Sequence, residues 1–176
     1  MEQKRSRKAF HTIPFVWNKT LWAMTFMVFG LWFGLSGFFL YKVFTEANTA
    51  ENIVSLIGLN LVFLPMMILC EGLAPQRLEI GDDRIVILRR YKSVVLNREE
   101  IKSIEFLPKI AFRGAIRTMG VGGFFGYFGQ YYAPALGSFT LYATSFENLY
   151  LIKRWNGKSI VISCAEPDKI EQFIER

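Results

Sequence analysis

The chain has 176 residues, of which 52% are hydrophobic and 16% aromatic, and its formal net charge at pH 7 is +6. This composition excludes a disordered chain and is rather apolar for a water-soluble domain. The single histidine and the two cysteines, Cys70 and Cys164, show no spacing of a zinc site or redox pair, so we expect no metal and no cofactor. The positive charge indicates anionic lipid or nucleic acid as a counterpart.

The chain begins with a basic segment, residues 1–20, followed by twenty uncharged residues, 21–40. As a helix, this run would measure about 30 Å, the thickness of a bilayer's hydrocarbon core. We therefore predict a first membrane span over about 21–42. The run is too long for the core of a secretory signal, and no convincing cleavage site follows it.

A second uncharged run covers residues 53–70. Asn60 and Pro65 interrupt it, but a neighbouring helix can satisfy the backbone groups that they disturb. The short connector predicts an antiparallel transmembrane hairpin over residues 21–70. Because Lys and Arg concentrate on the flanks that both spans share, the positive-inside bias predicts that the N-terminus and the C-terminal region are cytoplasmic.

Gly30 and Gly34 form a GxxxG pattern on the first span, with Gly37 one turn later. Small residues at this spacing let two helices approach closely. We expect the hairpin's own packing to use Gly30 and Gly34. Dimerisation of two chains through the same residues is the alternative.

From Gln76 onward, short runs of alternating apolar residues replace the long ones. Seven strands are predicted, over 77–80, 84–91, 93–96, 101–107, 138–145, 149–155 and 159–164. Asn156–Gly157 is a strong hairpin signal, and Pro167 fits the first position of a C-terminal helix. The predicted fold class is an α+β membrane protein. Its transmembrane hairpin precedes a β-sandwich or partly open barrel of about seven strands, with a C-terminal helix, over residues 75–176.

The final third of the chain resembles the bacterial pleckstrin-homology (PH) domain families. The residues that carry the resemblance are Tyr142-Ala143-Thr144, Leu149 to Lys153, Gly157, Ile162-Ser163, Pro167 and Phe173-Ile174. Cys164 departs from it, since related sequences often have proline there. The resemblance implies a PH-like fold behind paired membrane helices. It implies function less firmly, and the roles proposed for such domains centre on membrane-associated binding or scaffolding.

Residues 119–145 contain no charge, six glycines and eight aromatics. A nucleotide loop is excluded because Phe125 replaces the third glycine of the dinucleotide motif and no Walker lysine follows. A third span would place several glycines and Pro134 inside a helix. We expect a structural loop instead. Its aromatic residues either cover the sandwich or the spans internally, or rest in the membrane interface; they include Phe124, Phe125, Tyr127 and Phe128.

Lys109, Arg113 and Arg117 recur at a spacing of four and would share one face of a helix. We identify them as candidate ligands for anionic lipid or for a protein partner, with ordinary solvated charges as the alternative. The turn that binds phosphoinositides in some PH domains is Gly81-Asp82-Asp83 here. Its two carboxylates repel a phosphate, so we do not transfer that site.

No catalytic residues are predicted. The chain has only one histidine, His11, and its neighbouring acidic pairs, Asp82–Asp83 and Glu99–Glu100, suit a turn and the surface. Nucleic acid is not expected as a partner, since the basic residues follow the membrane flanks. The sequence predicts a binding or scaffolding module at the cytoplasmic face of the bacterial inner membrane. Its expected partners are membrane lipids, a protein or a second copy. A small transport or channel-associated subunit is the alternative.

Overall fold

A hairpin of two long helices and two β-sheets form the protein, which a computed structural model describes over residues 11–175. Helix α1 spans Lys19–Thr45, helix α2 spans Thr49–Leu73, and the C-terminal helix α3 spans Pro167–Glu175. The strands are β1 His11–Pro14, β2 Arg77–Ile80, β3 Arg84–Leu88, β4 Val94–Asn97, β5 Ile101–Leu107, β6 Ile116–Gly122, β7 Tyr127–Ala133, β8 Gly137–Ala143, β9 Leu149–Arg154 and β10 Ser159–Ser163.

Helices α1 and α2 are the two candidate membrane spans, as predicted, because both are long and apolar enough to cross a bilayer. They are joined by a side-chain contact in their central part. The Trp32 ring stacks on Phe63 with centroids 5.6 Å apart, and its indole N–H donates to Asn60 Oδ1 at 3.2 Å. The Asn60 amide donates in turn to the Leu56 carbonyl at 2.8 Å, so this polar group is satisfied within the hairpin.

The GxxxG glycines take no part in that contact. A Cβ atom built at Gly30 or Gly34 would find no other atom of the described residues within 4 Å. Trp32 is two positions from each glycine, which is about 200° around a helix of 3.6 residues per turn. The glycines therefore lie on the side of α1 opposite to Trp32, and the expected packing within the hairpin is not observed.

The two sheets pack face to face and form the predicted sandwich, which is not closed into a barrel. The first sheet is antiparallel with the order β1-β2-β3-β4, and the second is mixed with the order β5-β9-β10-β8-β7-β6. Leu78 and Ile85 from the first sheet and Ile152 and Ile162 from the second share one buried cluster. Helix α3 adds its apolar face to this cluster, through Ile170 and Phe173.

Strand β1 was not predicted. It lies within the segment interpreted as a basic N-terminal extension, of which residues 1–10 are outside the described part of the chain. It pairs antiparallel with β2, with Ile13 opposite Leu78, and Ile13 is buried. The α1–α2 hairpin is therefore inserted between two neighbouring strands of one sheet.

The seven predicted strands are all present, but the prediction of a loop over the glycine-rich segment was wrong. Residues 116–122 and 127–133 form the hairpin β6–β7, which also leaves no place for a third span. Gly120 and Gly129 lie directly opposite each other, with φ angles of 124° and 122°. A Cβ atom on Gly129 would lie 2.6 Å from the Gly120 Cα. The glycines therefore serve a close contact between two strands rather than a flexible loop.

Candidate functional site

The six-stranded sheet buries a second face, on the side away from the four-stranded sheet. Strands β5 and β6 are its opposite edges, so the segment that joins them, residues 108–115, must cross this face. We call this segment the strap. Phe112 of the strap packs edge-on against Phe139 at 5.5 Å. Leu21, in the first turn of α1, is fully buried in the same cluster, so the strap and α1 are anchored to the same surface of the sheet.

The turn of the β6–β7 hairpin, residues 123–126, lies directly against α1. We call this turn the hairpin tip. Gly123 leaves no space for a Cβ atom beside Met24, whose Sδ would be 2.5 Å away. The Phe125 backbone N–H donates to Thr25 Oγ1 at 3.4 Å, and the Phe124 ring lies 5.9 Å from that of Phe29. At a rise of 1.5 Å per residue, the tip lies beside about the first 15 Å of α1.

The turn between β3 and β4 makes a matching contact with the end of α2. Tyr91 donates its backbone N–H to the Gly72 carbonyl at 3.1 Å and its hydroxyl to the Ile68 carbonyl at 3.3 Å. Arg90 forms an ion pair with Glu71 at 2.9 Å. The last four carbonyls of a helix have no partner within the helix, and the Tyr91 N–H supplies one for the carbonyl of Gly72. The Tyr91 hydroxyl reaches the Ile68 carbonyl, one turn earlier. Each helix is thus held by a different turn of the sheet domain.

Three of the predicted aromatic site residues face the protein. Phe124, Tyr127 and Phe128 are 8%, 8% and 5% exposed, and Phe125 is half-buried. The Tyr127 ring lies 4.6 Å from that of Phe146, which in turn lies 5.8 Å from the ring of Phe112 of the strap. The sequence left two alternatives for these aromatic residues, internal packing or contact with the membrane interface. These three rings pack internally, because the β6–β7 hairpin folds onto both the sheet and α1.

The three basic site residues do not share a helical face. Lys109 begins a short 3-10 turn that ends at Phe112, and Arg117 belongs to strand β6. Gly114, with a φ of 75°, separates the turn from the strand, which is why the helical spacing of four was misleading. Lys109 lies 3.8 Å from Glu147, and both side chains are exposed.

The surface around the strap and β6 is basic. The sequence has no acidic residue between Glu105 and Glu147, whereas it has three basic residues there. Within residues 11–175, no ion pair engages Arg113 or Arg117. The Arg117 guanidinium lies near Tyr131; burial raises the pKa of the Tyr131 hydroxyl, and the neighbouring positive charge lowers it by less.

The described residues contain no group of three His, Cys, Asp or Glu side chains arranged to hold a metal ion. Asp82 and Asp83 lie in the turn between β2 and β3, and His11 begins β1. The aromatic hairpin tip lies against the first turns of α1, and Arg90 and Tyr91 lie against the end of α2.

Tyr91 and Gly72 were missed as functional positions. A sequence signal existed, since a tyrosine flanked by Arg90 and Lys92 is typical of a membrane interface. Its partner on α2 could not be found without the fold, because the contact joins residues on two different elements.

Comparison with known families agrees with this architecture. A family model described as Bacterial PH domain matches residues 76–176, which is more than half of the chain. The chain belongs to the bacterial PH domain family. No curated protein and no solved structure gives a significant match. PH domains are generally binding modules rather than enzymes, so family membership supports a binding or scaffolding role.

Proposed function

We propose that this protein is a membrane-anchored binding module without catalytic activity, at the cytoplasmic face of the bacterial inner membrane. The observation that carries the proposal is the double attachment of the sheet domain to the spans. The hairpin tip contacts α1 through Thr25 and Tyr91 contacts α2, so the domain is held at the membrane surface in one orientation. The strap and β6 are left on the outside, where they are available to a ligand.

The proposed sidedness is supported by the pairing of β1 with β2. These strands flank the helical hairpin in sequence and lie in one sheet, so both must be on the same side of the membrane. Basic residues at that end of the hairpin, including Lys19, Arg90 and Lys92, favour the cytoplasm.

Cysteine accessibility in intact cells tests this sidedness. Single cysteines at Ser6, Asn48, Gln130 and Asn156 would be introduced into a chain that lacks Cys70 and Cys164. An impermeant thiol reagent should label only position 48, which lies between the helices. Labelling at position 130 or 156 would overturn the proposed topology.

The ligand of the proposed module is an anionic group, on a membrane lipid or on a protein partner, and its binding surface includes Lys109, Arg113 and Arg117. Near an anionic membrane each basic residue contributes about 1 kcal/mol, so together they supply about 3 kcal/mol, or roughly a hundredfold in affinity. Such a sum is large enough for a loss to be measured.

Charge neutralisation tests this binding surface. The full chain, with all three residues changed to Gln, would be placed in bilayers that contain phosphatidylglycerol, and retained lipid would be counted by native mass spectrometry. A photo-crosslinker at the exposed strap residue Ile110 would report protein partners in cells. The control carries the same charge change at Lys102, Lys158 and Lys169. Equal lipid retention and crosslinking in both triple variants would contradict the proposal.

Self-association through Gly30 and Gly34 stays a prediction from the sequence. These glycines lie away from the Trp32 contact, so a second copy could approach them without disturbing the hairpin.

A further inference from the structure

We infer that Arg117 binds the phosphate of a membrane lipid headgroup beside the hairpin tip. This inference rests on the proposed function and assigns a ligand to one of the three basic residues. Three observations carry it: the place where the guanidinium lies, its lack of a counter-charge, and the exposed aromatic residues at the same depth along α1.

The Arg117 side chain points towards the spans. Its Nη1 and Cζ atoms lie 2.8 Å and 3.6 Å from the position that a Cβ atom would take on Gly122. Gly122 directly precedes Gly123, which packs against Met24 of α1. An irregularity in the β6–β7 pairing falls between Arg117 and Met119, and such bulges bend a strand and redirect side chains. The positive charge is thereby brought next to the hairpin tip, level with the first turns of α1.

The charge has no carboxylate partner within residues 11–175. The Tyr131 hydroxyl lies nearby, 3.5 Å from the same Cβ position on Gly122, and it donates to the Val121 carbonyl at 3.1 Å. A neutral hydroxyl carries no counter-charge, so the guanidinium charge is left uncompensated. A guanidinium presents paired N–H donors that match two phosphate oxygens, and Lys109, which faces Glu147, offers no equivalent.

The depth of the site along α1 favours a lipid over a protein as the source of the phosphate, because exposed aromatic residues flank Thr25, which the hairpin tip contacts. Trp22 and Phe26 are exposed on the first turns of α1, and their rings stack at 5.4 Å. In a spanning helix, an exposed aromatic pair of this kind lies at the interface, where tryptophan is enriched. A phospholipid that packs its chains beside this pair would bring its phosphate near the level of the Arg117 guanidinium.

Three substitutions of the full chain test the assignment. Arg117→Gln removes the charge, and Gly122→Ala keeps the charge but fills the space where the guanidinium lies. Lys102→Gln is the matched control, because it removes one positive charge at the opposite edge of the sheet. Each variant would be released from phosphatidylcholine bilayers that contain phosphatidylglycerol, and bound lipid would be counted by native mass spectrometry. We expect Arg117→Gln and Gly122→Ala to retain about fivefold less phospholipid than the wild type, with Lys102→Gln close to wild type.

The outcomes separate this inference from the proposed function. If the triple Gln variant loses lipid but Arg117→Gln and Lys102→Gln behave alike, the basic surface stands and the phosphate site at Arg117 is refuted. If the triple variant matches its control, both fail. Arg117→Lys retains the charge without the paired donors, so its lipid retention should lie between those of the wild type and Arg117→Gln. This variant keeps the inference testable if Gly122→Ala fails to fold. Binding of inorganic phosphate alone, with no lipid retained by the wild type, would refute a lipid source.

Discussion

The contact between Tyr91 and the end of α2 predicts that Gly72→Ala destabilises the protein, although alanine is the better helix former. A Cβ atom at this position would lie only 2.5 Å from Cζ of the Tyr91 ring, so the ring must swing away. The ring then loses its hydrogen bond to the Ile68 carbonyl, worth about 1 kcal/mol, and its packing on α2, worth about another 1 kcal/mol. Gly58→Ala is the control, because a Cβ at Gly58 would meet open space.

Equilibrium unfolding of the two reconstituted variants measures the difference. Both gain from the helix propensity of alanine, so Gly72→Ala should be less stable than Gly58→Ala by about 2 kcal/mol. The cost should disappear in a Tyr91→Ala background, since no ring remains to be displaced. Equal stabilities of Gly72→Ala and Gly58→Ala, or an unchanged cost without the ring, would refute the attachment of the domain to α2 through Tyr91.

Three further predictions concern the strands, the helices and the core. Gly129→Ala should open the β6–β7 hairpin and speed hydrogen exchange there. Gly137→Ala is the control, because Gly137 also has a positive φ but faces open space, so its substitution should speed exchange less. Similar exchange rates in the two variants would contradict the close approach of Gly120 and Gly129. Asn60→Leu should lower hairpin stability by about 0.6 kcal/mol, measured by unfolding in detergent, and a gain would show that the Trp32 bond contributes nothing. Burial raises the pKa of Cys164 from 9.0 to about 11, so native Cys164 should resist alkylation at pH 8 and react on unfolding. Fast labelling of the native protein at pH 8 would contradict this burial. Because the unfolded thiol ionises first, the free energy of unfolding should also fall as pH rises from about 9 to 11.

The elements with strong periodicity could be predicted from the sequence. The two spans depend on uninterrupted apolar runs, and the strands from β8 to β10 depend on alternation and on the turn at Gly157, whose φ is 103°. Helix α3 follows from Pro167 and from the spacing of Ile170 and Phe173. In each case the local pattern and the final environment agree, which is why local reasoning was sufficient.

The glycine-rich hairpin and β1 could not be predicted because their stability comes from distant partners. Glycine weakens an isolated strand, but Gly120 and Gly129 permit a close pairing that a larger residue would block. Strand β1 has only four residues, including Pro14, and it forms on the edge that β2 supplies. The spacing of Lys109, Arg113 and Arg117 matched a helix by coincidence, and Gly114 was the local signal against a continuous helix.

The insertion of the helical hairpin between β1 and β2 sets an order on biosynthesis. A ribosome completes β1 before either helix, but the strand's partner is made only after both helices have emerged. In the proposed topology, β1 would therefore wait, unpaired, on the ribosome's side of the membrane until the hairpin has entered the bilayer. A chain in which the N-terminal segment was carried across could not complete the four-stranded sheet. Folding of the domain would thus act as a check that both helices were inserted the right way round.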